Sequence, residues 1–302
     1  MLQKPFFSVI IPLFNKRDSI EDTIKSILNQ DFKDFEIIII DDGSTDNSAS
    51  IVKNINDHRI HLFRQNNRGP AAARNQGVKL STAPWIIFLD ADDKFLPNAL
   101  NIFSRLINQF PQYALFVCNF YSQFKEKNIL YSYNFYDGQI NHPYRLLALN
   151  RFLIRTGNYT IRKEMVEKYP FNEHLFRYED AECFFEIMEH EMIYSNPKPV
   201  MIYNQNSLKA SKPCERIKDD YLGSLDFNTK SFWKHLVLFD LRLTAMALDP
   251  EAGTLYDSEY HYIVEKGILK VIHSYLRIRY KVDKGWYNMK RVSRRQVMCK
   301  YL

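Results

Sequence analysis

Four short apolar runs fall within about the first ninety residues, each followed by a turn and a helix-periodic stretch, and that alternation narrows the fold more than any other feature. The runs are Phe6 to Leu13, Phe35 to Asp42, Ile60 to Phe63 and Trp85 to Asp90. The first, second and fourth are rich enough in Val, Ile, Leu and Phe to read as buried strands, and Ile60 to Phe63 reads as a short one. Between them Ile20, Ile24, Ile27 and Leu28 repeat at helical spacing, with Asp18 and Glu21 placed as a capping box. A second helix carries Ile51, Val52 and Ile55, and a third runs from Ala71 to Leu80 with Pro70 at its first position. Strands alternating with helices predict an α/β chain with a mostly parallel sheet and right-handed, Rossmann-like crossovers.

Downstream, Pro97 to Phe110 reads as a helix, and Tyr113 to Tyr121 and Ile129 to Phe135 as strands. His142 to Phe152 and Glu179 to Glu191 read as helices flanking an extended Arg155 to Arg162, and Lys198 to Tyr203 as a last short strand. The pattern turns helical around Lys209 to Pro213, which places a boundary near residue 212: an α/β domain over 1–212 and a helical, basic region over 213–302.

Charge is placed unevenly, with the basic excess in the tail. Residues 270–302 hold ten Lys or Arg and one acid, a local charge of +9, so the net +6 of the whole chain leaves about −3 for everything before. Tyr262 to Val282 sets Val264, Ile268, Val271, Ile272, Tyr275, Leu276 and Ile278 at near-helical spacing among Lys and Arg. That pattern suits an amphipathic helix on an anionic membrane surface, and equally a packing helix with a solvated face. No nucleic-acid motif accompanies the basic residues, and none is expected as a partner. The apolar run Phe6 to Phe14 is nine residues broken by Pro12, too short for a signal segment or a membrane span. The chain is therefore expected in the cytoplasm, with a peripheral contact on the inner face of the plasma membrane. Cys118, Cys183, Cys214 and Cys299 lie far apart, without zinc spacing, and read as free thiols.

The chemistry-bearing residues gather where strands end. Trp85-Ile86-Ile87-Phe88-Leu89 breaks into Asp90-Ala91-Asp92-Asp93, and in an open α/β sheet the ligand crevice lies outside the carboxyl ends of the strands. Asp90 and Asp92, spaced i and i+2, suit a hard divalent cation shared with substrate phosphates; an acidic turn before Pro97 is the alternative.

Three segments together resemble the inverting family 2 glycosyltransferases of the GT-A fold: Asp41-Asp42-Gly43-Ser44-Thr45-Asp46, Asp90-Ala91-Asp92-Asp93, and Glu179-Asp180 at the head of a later helix. The resemblance covers roughly residues 5–205. It implies a UDP-sugar donor and Mn²⁺ or Mg²⁺, and a bacterial surface-glycan role. By matching position, Asp92 is the metal ligand and Asp90 a contact to the ribose or an aid to the ion. Asp42 reads the uracil ring, and Pro12, Leu13 and Phe14 wall the base. Arg74 lies near the nucleotide, its alternative being a solvent-facing helical arginine. Asp180 is the base that takes the acceptor hydroxyl's proton, in a first helical turn whose dipole favours the ionised form; a capping acid is the alternative. The segment Tyr169-Pro170-Phe171-Asn172-Glu173 departs from the family's glycine-phenylalanine-acid pattern, so a different acceptor-side loop is expected. Lys209 and Ser211 are candidates for a loop over the pyrophosphate.

The resemblance implies transfer of a hexose or N-acetylhexosamine to a glycan or lipid-linked acceptor. A sugar-1-phosphate nucleotidyltransferase needs a glycine-rich loop after the first strand, and Pro12-Leu13-Phe14-Asn15-Lys16-Arg17 contains no glycine. A non-catalytic nucleotide-sugar or glycan-binding module is the remaining alternative, against which stand three intact carboxylate positions.

Overall fold

A computed structural model describes residues 4–124, 129–175 and 178–204, and beyond them residues 231, 233, 234, 236–238 and 241. Of these, the residues within 1–141, 152–174 and 179–207 form one compact unit, and those within 142–151, 175–178 and from 208 onward a second. The expected helix Tyr262 to Val282, the boundary near residue 212, and Lys209 and Ser211 all lie outside the described residues.

The first unit is built on a ten-stranded sheet. Its parallel part contains β1 (Phe7–Leu13), β2 (Phe35–Asp41), β3 (Ile60–Arg64) and β4 (Trp85–Phe88), in the order β3-β2-β1-β4. Leu13 pairs with Asp41 and Ile10 with Phe88, so the loops leaving β1, β2 and β4 emerge at one edge. Val9, Ile10, Ile11, Ile37, Ile39, Ile86 and Ile87 are fully buried, the burial on both faces that their uninterrupted apolar runs require. Helix α1 (Ile20–Leu28) buries Ile20, Ile24 and Ile27. Its N-cap is Ser19 and carries no side-chain cap, so the capping box expected from Asp18 and Glu21 does not form. Instead the Ser19 hydroxyl donates to the Ala91 carbonyl at 2.9 Å, tying the helix start to the acidic loop after β4. Helix α2 (Ser48–Lys53) follows β2, and α3 (Pro70–Leu80) packs on β1 and β2.

Beyond β4 antiparallel strands join the mostly parallel sheet expected from the sequence. After the short edge strand β5 (Lys94–Phe95) and helix α4 (Ala99–Gln109) come β6 (Leu115–Phe124), β7 (Ile129–Ser132) and β8 (Gly138–Gln139). Strand β9 (Tyr159–Arg162) then enters between β4 and β6, antiparallel to both, and α6 (Lys163–Lys168) leads back along it. Burial patterning sets which faces of a strand are covered and is blind to the direction in which it runs, which is why β9 reads only as an extended stretch. Helix α7 (Glu179–His190) precedes β10 (Ile193–Asn204), which runs parallel to β6 through two register shifts around Pro197 and Pro199. Proline removes the ladder donor, so these breaks fall where pairing is weakest. β10 carries the chain to the site edge, where the Asn204 amide donates to Asp93 Oδ1 at 2.8 Å.

In the second unit, helix α5 (Pro143–Ala148) begins on a proline, and Arg145 and Lys234 lie over the rings of Trp233 and Tyr144, respectively. Leu236, Val237 and Leu238 are buried. Among the described residues no helix is long and apolar enough to cross a membrane.

Candidate active site

The loop after β1 and the loop after β2 are sewn together by short polar side chains. Asn15, at φ 50°, accepts the Thr45 and Asp46 amides on its Oδ1, at 2.8 and 3.3 Å. The amides of Asn15 and Lys16 donate to the hydroxyls of Ser44 and Ser48, at 3.1 and 2.8 Å. Asp41, fully buried, accepts the Ser44 amide at 2.9 Å and shapes the turn in which Gly43 sits at φ 76°. A Cβ on that glycine would come within 3.1 Å of the Asn67 amide nitrogen, so the turn needs glycine on two counts.

Asp42 organises the next loop. Its Oδ1 accepts from the Gln65 side chain at 2.8 Å and the Arg68 amide at 2.9 Å, and its Oδ2 accepts the Gly69 amide at 2.8 Å. Three of about four acceptor positions on the carboxylate are thus filled, and one is left for a ligand N–H. Pro12 lies within β1, while Phe14 just beyond it is 44% exposed, an apolar surface open beside Asp42's strand end.

The acids after β4 are held in three different ways. Asp90 accepts Arg74 Nη2 at 3.1 Å and the Thr156 hydroxyl at 2.7 Å. Asp92 accepts Lys16 Nζ at 2.5 Å on Oδ2, leaving Oδ1 without a hydrogen-bond partner among the described residues. Asp93 is buried; burial pushes its carboxyl well above the usual range, and Asp90 pushes in the same direction. Gly157, next to Thr156, has φ 99° and no room for a Cβ against Met201 and Leu89, so Thr156 is presented from a backbone that only glycine permits.

Arg74 is buried, not solvent-facing. Its Nη1 donates to Glu179 Oε1 at 2.6 Å while Nη2 reaches Asp90, and its guanidinium lies 5.4 Å over the Phe171 ring. Burial works against its charge, but Asp90, Glu179 and Asp180 outweigh that and keep it charged. One side chain on α3 therefore joins the end of β4 to the start of α7. Glu179 is pushed up by burial, against the pull of Arg74. Asp180 follows at the half-buried first turn, its Oδ1 accepting the Ala181 amide at 2.8 Å, and among the described residues no ion pair occupies it. Tyr178, at φ 61°, turns the chain into this helix. Burial pushes the Tyr203 hydroxyl above the usual tyrosine range, with Arg155 pulling the other way.

Asn75, one residue along α3 from Arg74, fixes the segment around Phe171: it donates to the Phe171 carbonyl at 2.8 Å and Glu173 at 3.0 Å and accepts the Phe171 amide at 3.0 Å. Arg68 pairs with Glu173 at 2.5 Å. Lys16, Thr156 and Asn75 were not read from the sequence as site residues. Their partners lie 76, 66 and 96 positions away, and such pairings leave no local pattern.

Among the described residues no group of three or more His, Cys, Asp or Glu converges to hold an ion by protein alone. A cation such as Mg²⁺ does not need one, since it takes one or two carboxylates and completes its shell with phosphate oxygens and water. The open Oδ1 of Asp92 meets that requirement.

Residues 8–175 match the family described as Glycosyl transferase family 2. Over 238 residues the chain is 32% identical to a GalNAc(5)-diNAcBac-PP-undecaprenol beta-1,3-glucosyltransferase of Campylobacter jejuni, covering 74% of this chain and 72% of that protein. Over 100 residues it is 42% identical to the putative teichuronic acid biosynthesis glycosyltransferase TuaG of Bacillus subtilis; that match covers 32% of this chain and 40% of TuaG's length. The crystal structure of S. aureus TarS 1–349 in complex with UDP-GlcNAc superposes with a TM-score of 0.64 at 19% identity, covering 83% of this chain and 75% of that one.

Proposed function

The chain belongs to glycosyltransferase family 2 and is a glycosyltransferase with a GT-A fold, and on that premise we propose that it moves a hexose or N-acetylhexosamine from a UDP-sugar, with inversion, to a hydroxyl of a glycan or lipid-linked acceptor in cell-surface polysaccharide biosynthesis. The observation that carries the reading is the Asp90–Arg74–Glu179 bridge, which sets the first turn of α7 beside the acidic loop of β4. That arrangement supports a reading in which donor and acceptor chemistry meet at one strand-end edge. The TarS structure contains UDP-GlcNAc, and the names of the C. jejuni relative and TuaG refer to a diphosphoundecaprenol-linked glycan and to teichuronic acid, which support the donor and acceptor classes.

In this mechanism Phe14 and Pro12 flank the base, and Asp42 offers its last acceptor position to the uracil N–H. Asp90, fixed by Arg74 and Thr156, faces the ribose. Asp92 holds Mn²⁺ or Mg²⁺, which when bound neutralises charge growing on the diphosphate as it departs. Asp180 takes the acceptor hydroxyl's proton on the side of the sugar opposite the leaving group, and inversion follows from that single displacement. The basic segment 270–302 supports a peripheral contact with an anionic membrane, where a lipid-linked acceptor resides.

The test is a melting-temperature panel of UDP, GDP and CMP, each with and without Mn²⁺, on the natural chain and on Asp92→Asn. A ligand at 100 times its dissociation constant stabilises by about 2.7 kcal/mol, an easily measured shift. UDP-selective, Mn²⁺-dependent stabilisation that disappears in Asp92→Asn is expected. Selective stabilisation by another nucleotide would move the donor assignment, and no shift with any would remove the donor reading.

A further inference from the structure

The three acids after β4 differ in how their charge is balanced, and the difference is informative. Asp90 is locked by a buried arginine and a threonine, and Asp93 is enclosed beneath the Asn204 amide. Asp92 is balanced by Lys16, whose ammonium lies 2.5 Å from Oδ2. The Lys16 backbone is fixed: its amide donates to Ser48 Oγ at 2.8 Å, and its carbonyl accepts the Ser19 and Ile20 amides at 3.1 and 3.0 Å. Its side chain is a flexible four-carbon stem with 33% exposure against 11% for that of Asp92. The ammonium can therefore leave Asp92 by bond rotation alone, with no backbone movement, which the planar and doubly paired Arg74 cannot do.

We propose that Lys16 is a tethered counter-ion that closes Asp92 to a bare divalent cation and releases it when a nucleoside diphosphate arrives. This rests on the reading of Asp92 as the metal ligand. A cation on Oδ2 competes directly with the ammonium, and one on Oδ1 of the same carboxylate is repelled by it. A bare ion gains one carboxylate and leaves the ammonium without a partner. A nucleoside diphosphate changes both terms, because its phosphate oxygens ligate the ion and its negative charge receives Lys16. Metal and diphosphate then bind as a pair, each strengthening the other by the same factor, as linkage demands. The loop after β1 becomes a checkpoint that keeps an ion from occupying the site before the donor.

The experiment is Mn²⁺ binding followed by the electron paramagnetic resonance signal of free Mn²⁺, with and without UDP. The natural chain is compared with Lys16→Met, Lys16→Gln and Asp92→Asn, each first shown to unfold cooperatively. The natural chain is expected to bind bare Mn²⁺ weakly and to gain at least about tenfold with UDP. Both Lys16 variants are expected to bind bare Mn²⁺ roughly tenfold more tightly and to lose most of the gain from UDP, while Asp92→Asn loses binding in both conditions. If the Lys16 variants bind bare Mn²⁺ no more tightly and keep the full gain from UDP, the checkpoint is overturned and the metal site stands. If no form binds Mn²⁺ even with UDP, the metal reading fails and the checkpoint falls with it.

Discussion

A guanidinium with 5% exposure survives only if its charge is met, and Arg74 is met by Asp90 and Glu179 on separate elements. Removing a buried charge while leaving its partners in place costs about 3–5 kcal/mol. Arg74→Met is expected to lose that much in urea unfolding. Arg74→Lys should recover little of it, because one ammonium cannot span acceptors that now sit at 3.1 and 2.6 Å on two different nitrogens. A lysine variant as stable as the natural chain would show that the fork geometry is irrelevant. Asp180→Asn tests chemistry instead: loss of a general base should lower kcat by about 10²- to 10⁴-fold while UDP affinity is unchanged. Away from the site, Arg59 grips Asp57 through Nε at 3.0 Å and Nη2 at 2.8 Å, and that grip, with burial opposing it, holds the Asp57 carboxyl at about 2. A carboxylate depressed in the folded state adds stability above its ordinary value of 3.8 and loses it as pH falls through the folded value. The stability deficit of Asp57→Asn, roughly 1 kcal/mol or less for a surface pair and read as a lowered melting temperature, should be full near neutrality and close between about pH 4 and 2. At this scale the sequence exposed the motif acids but not their partners. Asp42, Asp90, Asp92 and Asp180 sit in short, recognisable runs, whereas the cations that meet Asp90 and Asp92 are decided by contacts across the sheet. Arg74 is the clearest case: helical position alone could not separate a nucleotide contact from a solvent-facing arginine, and the structure shows a buried bridge.

At the scale of elements, α3 is pressed so closely on β1 that Gly77 has no space for a side chain; an added Cβ would overlap Ile10 Cγ2. Two effects oppose each other in Gly77→Ala. Helix propensity gains about 1 kcal/mol. Overpacking against a fully buried Ile10 on a strand hydrogen-bonded on both sides costs about 1–3 kcal/mol, and neither β1 nor α3 can withdraw, since α3 also carries Arg74 and Asn75 to their partners. Net destabilisation is expected, read as a lower denaturation midpoint, together with weaker donor binding as Arg74 is displaced. A stabilised variant would mean that the helix slides freely. The first four strands and their helices were legible because three are apolar runs with a turn behind them and the third falls in the same alternation with helices. β5 and β8, each two residues long, and the antiparallel entry of β9 were not. Short edge strands bury too little to mark the sequence, and strand direction is fixed by connections rather than composition.

For the molecule as a whole, charge is the property that the sequence conveys most directly. The site-bearing residues 1–212 are close to neutral, at about +1, and residues 270–302 carry a local +9. An enzyme acting on a lipid-linked acceptor would benefit from such asymmetry: a near-neutral body neither seeks nor avoids anionic headgroups while a basic segment is drawn to them. Each Lys or Arg near an anionic surface contributes about 1 kcal/mol, and the attraction fades over a Debye length of about 10 Å at 0.1 M salt. The full chain is therefore expected to co-sediment with phosphatidylserine-containing vesicles at about 0.05 M salt, and to be released as salt is raised to about 0.5 M. Changing Arg291, Arg294 and Arg295 together to Gln removes about 3 kcal/mol at low salt, a loss of more than a hundredfold in vesicle affinity. Donor binding should be unaffected, since Asp42, Asp90 and Asp92 are held by other partners. Equal binding to neutral and anionic vesicles at low salt, or an unchanged affinity in the triple variant, would assign the basic segment to packing or to a protein partner rather than to the membrane.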